Sequence, residues 1–173
     1  MKKSAARAGR NVGGALVGLV ALAAVVMPAS PASASTAYGE FTTLPLGVQA
    51  GYNITGIAIL TRTGHTSARI VVSGLTPGVT YASHLHKDTC ANMGGGHYQN
   101  DPTSGVAAPP NELWLSSTSD PMGGITANIG GVAVGRGSAD WVAGPSAKAI
   151  VIHMIPPGGN TGGGPKIACA DLA

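Results

Sequence analysis

After Ser35 the chain alternates hydrophobic and polar positions with the period-two spacing of β-strands, and no stretch shows a helical period. From Ala68 to Ser73, the side chains of Ala68, Ile70 and Val72 fall on one face and those of Arg69, Val71 and Ser73 on the other. From Thr80 to His86, Tyr81, Ser83 and Leu85 point one way, and Ala82, His84 and His86 point the other. Asn53 to Arg62, rich in Ile and Thr, predicts a strand that turns back through Thr63-Gly64-His65-Thr66. Leu75-Thr76-Pro77-Gly78 predicts a turn in which Pro presets φ and Gly accepts a positive φ. Shorter strands are predicted at Glu112–Ser116, Ile125–Ile129, Val132–Val134 and Ala139–Val142, and the strongest late strand at Ala147–Ile155. Lys87 to Asn111 and Pro156 to Lys166 carry no such pattern and read as long loops. Short strands with frequent turns predict an all-β sandwich or barrel.

Composition supports that reading and adds a leader. The 173 residues are 44% hydrophobic and 10% charged, with 27 Gly and 12 Pro, which excludes intrinsic disorder and disfavours long helices. Lys2, Lys3, Arg7 and Arg10 precede an apolar run from Val12 to Met27, and Ala32-Ser33-Ala34 follows. A basic head, an apolar middle and an A-x-A end predict a secretory signal peptide over residues 1–34, leaving one domain over 35–173. The apolar run is short for a membrane span, so no stable membrane anchor is expected. Without the leader the chain carries six Lys and Arg against seven Asp and Glu, so the formal charge of +3 gives no electrostatic case for nucleic acid. The expected location is secreted or extracytoplasmic, either free or associated with the cell wall.

The two cysteines, Cys90 and Cys169, lie in the exported part, where they can pair or remain two free thiols. The same part holds all five histidines. His84 and His86 share one face of a strand, His97 follows a run of three glycines, and His153 ends the strongest late strand. Three or four imidazoles converging from a rigid sheet suit copper or zinc. His65, in a hairpin turn, is set apart from this group. Trp114 and Trp141 read as packing residues, as does Met154 beside His153.

The ordered set Gly74-Leu75-Thr76-Pro77-Gly78, His84-Leu85-His86, Cys90, Gly95-Gly96-His97-Tyr98, Ile150-Val151-Ile152-His153 and Lys166-Ile167-Ala168-Cys169 resembles the copper/zinc superoxide dismutase family, over most of residues 53 to 170. The resemblance implies an antiparallel Greek-key β-barrel with long loops around a metal site. It implies copper on His84, His86, His97 and His153, a Cys90–Cys169 disulfide, and superoxide as substrate. Family members are often dimers; the sequence leaves the oligomeric state, including a homodimer, open.

The chain departs from the family pattern in three places. Between His97 and His153 there is no further histidine, only Asp101, Glu112, Asp120 and Asp140, so zinc is not expected and the pattern is closest to copper-only members. Glu112 is then the first candidate to orient His97, with Asp101 and Asp120 behind it. The stretch between His153 and Cys169 holds no charge before Lys166, so steering of an anion should be weak. Lys166 stands where the family places an arginine; it is assigned to superoxide attraction, without the planar fork of a guanidinium. Two other functions are compatible with these residues: an extracytoplasmic protein that binds copper for storage or delivery without turnover, and a metal-free adhesion domain on a similar sandwich.

Overall fold

A computed structural model describes residues 34–155 and 163–173. The expected leader, apart from Ala34, lies outside the described residues, as does most of the Gly- and Pro-rich loop after Ile155. Eight strands form one antiparallel sheet: β1 (Ser35–Thr43), β2 (Thr55–Arg62), β3 (Thr66–Ser73), β4 (Thr80–His86), β5 (Ile125–Thr126), β6 (Ala133–Ala139), β7 (Ala149–Met154) and β8 (Lys166–Asp171). Their order is β5-β4-β7-β8-β1-β2-β3-β6. Residues 113–116 nearly close the sheet into a barrel. Leu113 and Leu115 pair by backbone hydrogen bonds with Leu85 and Ser83 of β4, and Ser116 pairs with Arg136 of β6. The connections β3–β4 and β6–β7 join strands that are not neighbours, as in a Greek key.

The alternation read from the sequence sets the core. Ala68, Ile70 and Val72 of β3 are buried, and Tyr81 and Leu85 of β4 join Leu60, Ile150, Ile152 and Ile167 inside the barrel. The Thr76–Gly78 turn forms as expected: Val79 N–H donates to Thr76 O, and Gly78 has φ +74. The expected strands at 132–134 and 139–142 are instead the single strand β6, which runs through Gly135 and Gly137. Those glycines mark close approaches rather than turns. A Cβ at Gly135 would meet Ile125 Cγ2 at 2.6 Å, and one at Gly137 would meet Trp114 O at 2.3 Å. Trp141 therefore lies beyond the strand, where its Nε1–H donates to Pro110 O at 2.7 Å. The expected Glu112–Ser116 strand is reduced to isolated bridges, because its two ends serve two different strands. The sequence also gave no signal for β1 or for the one-turn helix α1 (Pro45–Gln49), which is too short to show a period.

Outside the barrel, the β4–β7–β8 face is covered as well. Every residue of β4 after Thr80 is buried. Leu44, Ala149, Val151 and Cys169 form a second small apolar cluster on this outer side, with Cys90 packed against it. The Cys90–Cys169 disulfide spans 79 residues and fastens the loop after β4 to β8. No helix among the described residues is long and apolar enough to cross a membrane.

Candidate metal centre

His84 and His86 project from the outer face of β4, and β7 supplies His153 from the adjacent register, opposite Ala82. His97 returns to them through a tight loop. Lys87 N–H donates to Gly96 O and Asp88 N–H to Gly94 O, which brings His97 into a bridge with His86. The reversal needs Met93, Gly94 and Gly95 in succession at positive φ. Gly94 is also a packing requirement: a Cβ there would lie 2.5 Å from Val151 Cγ2 and 3.2 Å from His86 Nδ1. Between Ile152 and His153 the β7–β8 pairing shifts register, so that Lys166 rather than Ile167 faces His153.

The four histidines expected from the sequence are therefore together. Each offers a ring nitrogen within 4.8 Å of those of the others. His84, His86 and His153 are buried, and the His97 side chain is 19% exposed. His65 is exposed in its hairpin bend, apart from the group.

Three of the rings have a fixed tautomer. His86 Nδ1 lies 3.2 Å from Gly95 O, and His153 Nδ1 lies 3.0 Å from Gly164 O. A carbonyl only accepts, so each Nδ1 carries the proton and each Nε2 is a bare lone pair. Those two Nε2 atoms face each other at 3.1 Å. Two lone pairs at that separation repel unless a cation lies between them or one takes a proton. Protonation is disfavoured: burial, reinforced by the neighbouring histidines and Lys166, pushes His86 down to about 2. Burial pushes His153 down to about 4, against the opposing pull of Gly164 O. His86 and His153 are thus held neutral with their Nε2 atoms inward, the form in which imidazole binds a metal ion. The donor set fits a divalent transition metal.

Glu112, the first candidate to orient His97, does contact it. His97 Nδ1 donates to Glu112 Oε2 at 2.7 Å. The same oxygen accepts from Trp114 Nε1 at 2.7 Å, and Oε1 accepts from Gln99 Nε2 at 3.0 Å. Burial pushes the Glu112 carboxyl up, but the hydrogen bonds from His97, Trp114 and Gln99 outweigh it and hold the group below its ordinary value. Asp101 and Asp120 are not among His97's partners; each closes its own turn, with Thr103 and Met122 respectively.

Trp114 was expected only to pack. It does pack, with its ring centroid 4.8 Å from that of His84, but it also steadies the carboxylate that holds His97. Its spacing was the available signal: residues i and i+2 of an extended segment share a face, so Trp114 follows Glu112 as His86 follows His84. Gln99, opposite Glu112 in an isolated bridge, had no comparable signal.

The Lys166 ammonium donates to Gly95 O, the carbonyl that also receives His86 Nδ1. Burial pushes this lysine down from its ordinary value. A second group of Cys90, Cys169 and Asp171 is no metal site, since both sulfurs are in the disulfide. Compared with protein-family models and with curated proteins, the chain finds no match.

Proposed function

We propose that this protein is an exported superoxide dismutase that uses copper, without zinc, on His84, His86, His97 and His153. The observation that carries the reading is the pair of inward Nε2 lone pairs on His86 and His153, held 3.1 Å apart within a group of four converging imidazoles. All-imidazole donor sets suit copper, and copper heads the affinity order of the first-row divalent ions. Bound copper supplies one-electron chemistry: one superoxide is oxidised to dioxygen, and a second takes up that electron and two protons to become hydrogen peroxide.

The chain's own residues do the rest. Gly95 O, Gly164 O and Glu112 hold three imidazoles in one tautomer. Lys166 adds the positive charge that draws a small anion towards the site. The leader over residues 1–34 and the disulfide support an extracytoplasmic location, free or wall-associated.

One observation favours a second reading, a copper-binding protein without turnover: the Lys166 ammonium is engaged by Gly95 O rather than left free for an anion. The deciding experiment is superoxide disproportionation by protein loaded with copper alone, corrected for free copper, with metal content read on the same sample. Activity with copper bound, lost in His153→Ala, supports the dismutase. Tight copper binding without turnover moves the assignment to storage or delivery. No copper uptake overturns both.

A further inference from the structure

The outer face of β2, β3 and β6, a sheet face not involved in the histidine cluster, carries its side chains in cross-strand rows. Thr61, Ser67 and Ser138 form a row of hydroxyls. The next row is Ile59, Arg69 and Arg136, with the two arginines directly opposite each other. Like charges at facing positions destabilise a sheet. The third arginine outside the leader, Arg62, donates instead to Ala143 O and Ala147 O. Arg69 and Arg136 make no side-chain hydrogen bond or ion pair with any described residue.

The space around them is built rather than flat. A groove of about 550 Å³ runs over both arginines, the hydroxyl row and Ser119. A second hollow of about 540 Å³ shares both arginines and continues over residues 116–119. A smaller apolar hollow of about 220 Å³, lined by Ile57, Ile59, Ile70 and Val71, adjoins Arg69. No carboxylate lines any of the three.

We infer that this groove binds a phosphate or sulfate monoester of an organic molecule. Two opposed guanidinium forks match an oxyanion better than a single carboxylate, because each fork donates to a pair of oxygens. The hydroxyls of Ser67, Ser138 and Ser119 make no hydrogen bond with another described residue, so they are available as further donors. The apolar hollow beside Arg69 takes part of the organic body, and the combined space is larger than an inorganic anion needs.

The test is a titration followed by amide chemical shifts at low ionic strength, with inorganic phosphate, inorganic sulfate, phenyl phosphate and benzoate as probes. Saturable shifts at residues 67–69, 117–119 and 136–138 are expected for phosphate, sulfate and phenyl phosphate. Phenyl phosphate should bind the tightest, and benzoate at least about tenfold more weakly than it. R69Q and R136Q should each weaken phenyl phosphate by at least about tenfold while copper binding at the histidines stays unchanged. If either variant fails to fold, R69K and R136K keep the charge but lose the fork, and should still weaken binding. No saturable shift up to about 10 mM probe, or equal binding by wild type and both arginine variants, overturns the site. Equal affinity for inorganic phosphate and phenyl phosphate overturns the organic part of the assignment.

Discussion

Replacing Glu112 tests whether the site is held from outside the ring of histidines. In Glu112→Ala, His97 Nδ1 and the buried Trp114 Nε1 lose their shared acceptor, and Gln99 Nε2 loses its own. A buried donor left without a partner costs about 1–3 kcal/mol. Gln99 can turn to water and the part-exposed His97 keeps some contact with solvent, so the two donors set an expected loss of about 2–4 kcal/mol in metal-free protein. Glu112→Gln keeps one carbonyl oxygen where Oε2 stood and can pair its amide with a flipped Gln99. Its cost should be about half, the difference between a charged and a neutral acceptor. Copper affinity should fall about 10- to 100-fold in the alanine variant, because His97 is then free to rotate or change tautomer. Urea unfolding of the metal-free variants and competition with a copper chelator read the two effects separately. The reasoning is refuted if Glu112→Ala unfolds within about 0.5 kcal/mol of wild type and keeps its copper affinity.

Three further outcomes follow from the same geometry. Metal-free protein should lose stability as the pH falls below about 6.5: the folded-state values of His86 and His153 lie below the unfolded value, so the unfolded chain binds more protons. At about 1.4 kcal/mol per pH unit for each histidine, the loss by pH 5 is about 4 kcal/mol; flat denaturant midpoints between pH 7 and pH 5 would contradict it. Gly94→Ala should destabilise by about 2 kcal/mol or more and weaken copper binding, whereas Gly105→Ala, at a similar φ with nothing within 4 Å, should cost only about 1 kcal/mol and leave copper alone; comparative unfolding and metal titration check both. Reducing the disulfide, which closes a 79-residue separation, should cost about 4 kcal/mol and raise amide exchange in the loop from Lys87 to His97, and an unchanged unfolding midpoint would count against it.

The sequence exposed the parts of the site that rest on strand periodicity. His84 and His86 were placed on one face by their spacing of two, and β7 was the clearest late strand, so His153 was legible with it. Glu112 is legible for a different reason: it lies near the region where the resemblance to the family would place zinc ligands. What stayed hidden depends on distant backbone. Gly95 O and Gly164 O, which set the tautomers of His86 and His153, belong to loops whose paths no local pattern encodes. β6 reads as two strands in the sequence because glycine within a strand looks like a break, whereas Gly135 and Gly137 admit Ile125 and the Trp114 backbone. β1 is not legible because Gly39 and small side chains blur its alternation, although Ala37 and Phe41 are buried as the period requires.

The two places singled out for function share one physical property: each opposes the stability of the sheet that carries it. Nothing in barrel packing requires four imidazoles to converge on the covered outer face of β4 and β7, where apolar side chains of similar volume would avoid the facing lone pairs. Nothing in sheet pairing favours Arg69 opposite Arg136 without an acid. The two conflicts differ in how they are maintained. The histidines are immobilised by two carbonyls, a buried carboxylate and a disulfide-fastened loop, so the site is formed before anything enters it and its occupant must match a fixed set of lone pairs. The arginines are exposed and free to move, so they can adjust to their ligand at the cost of ordering two long side chains. Rigid imidazole donors select a metal ion by coordination, whereas mobile like charges select an anion by field and fork geometry. The first arrangement should therefore bind tightly and be insensitive to salt, and the second more weakly with affinity falling as ionic strength rises.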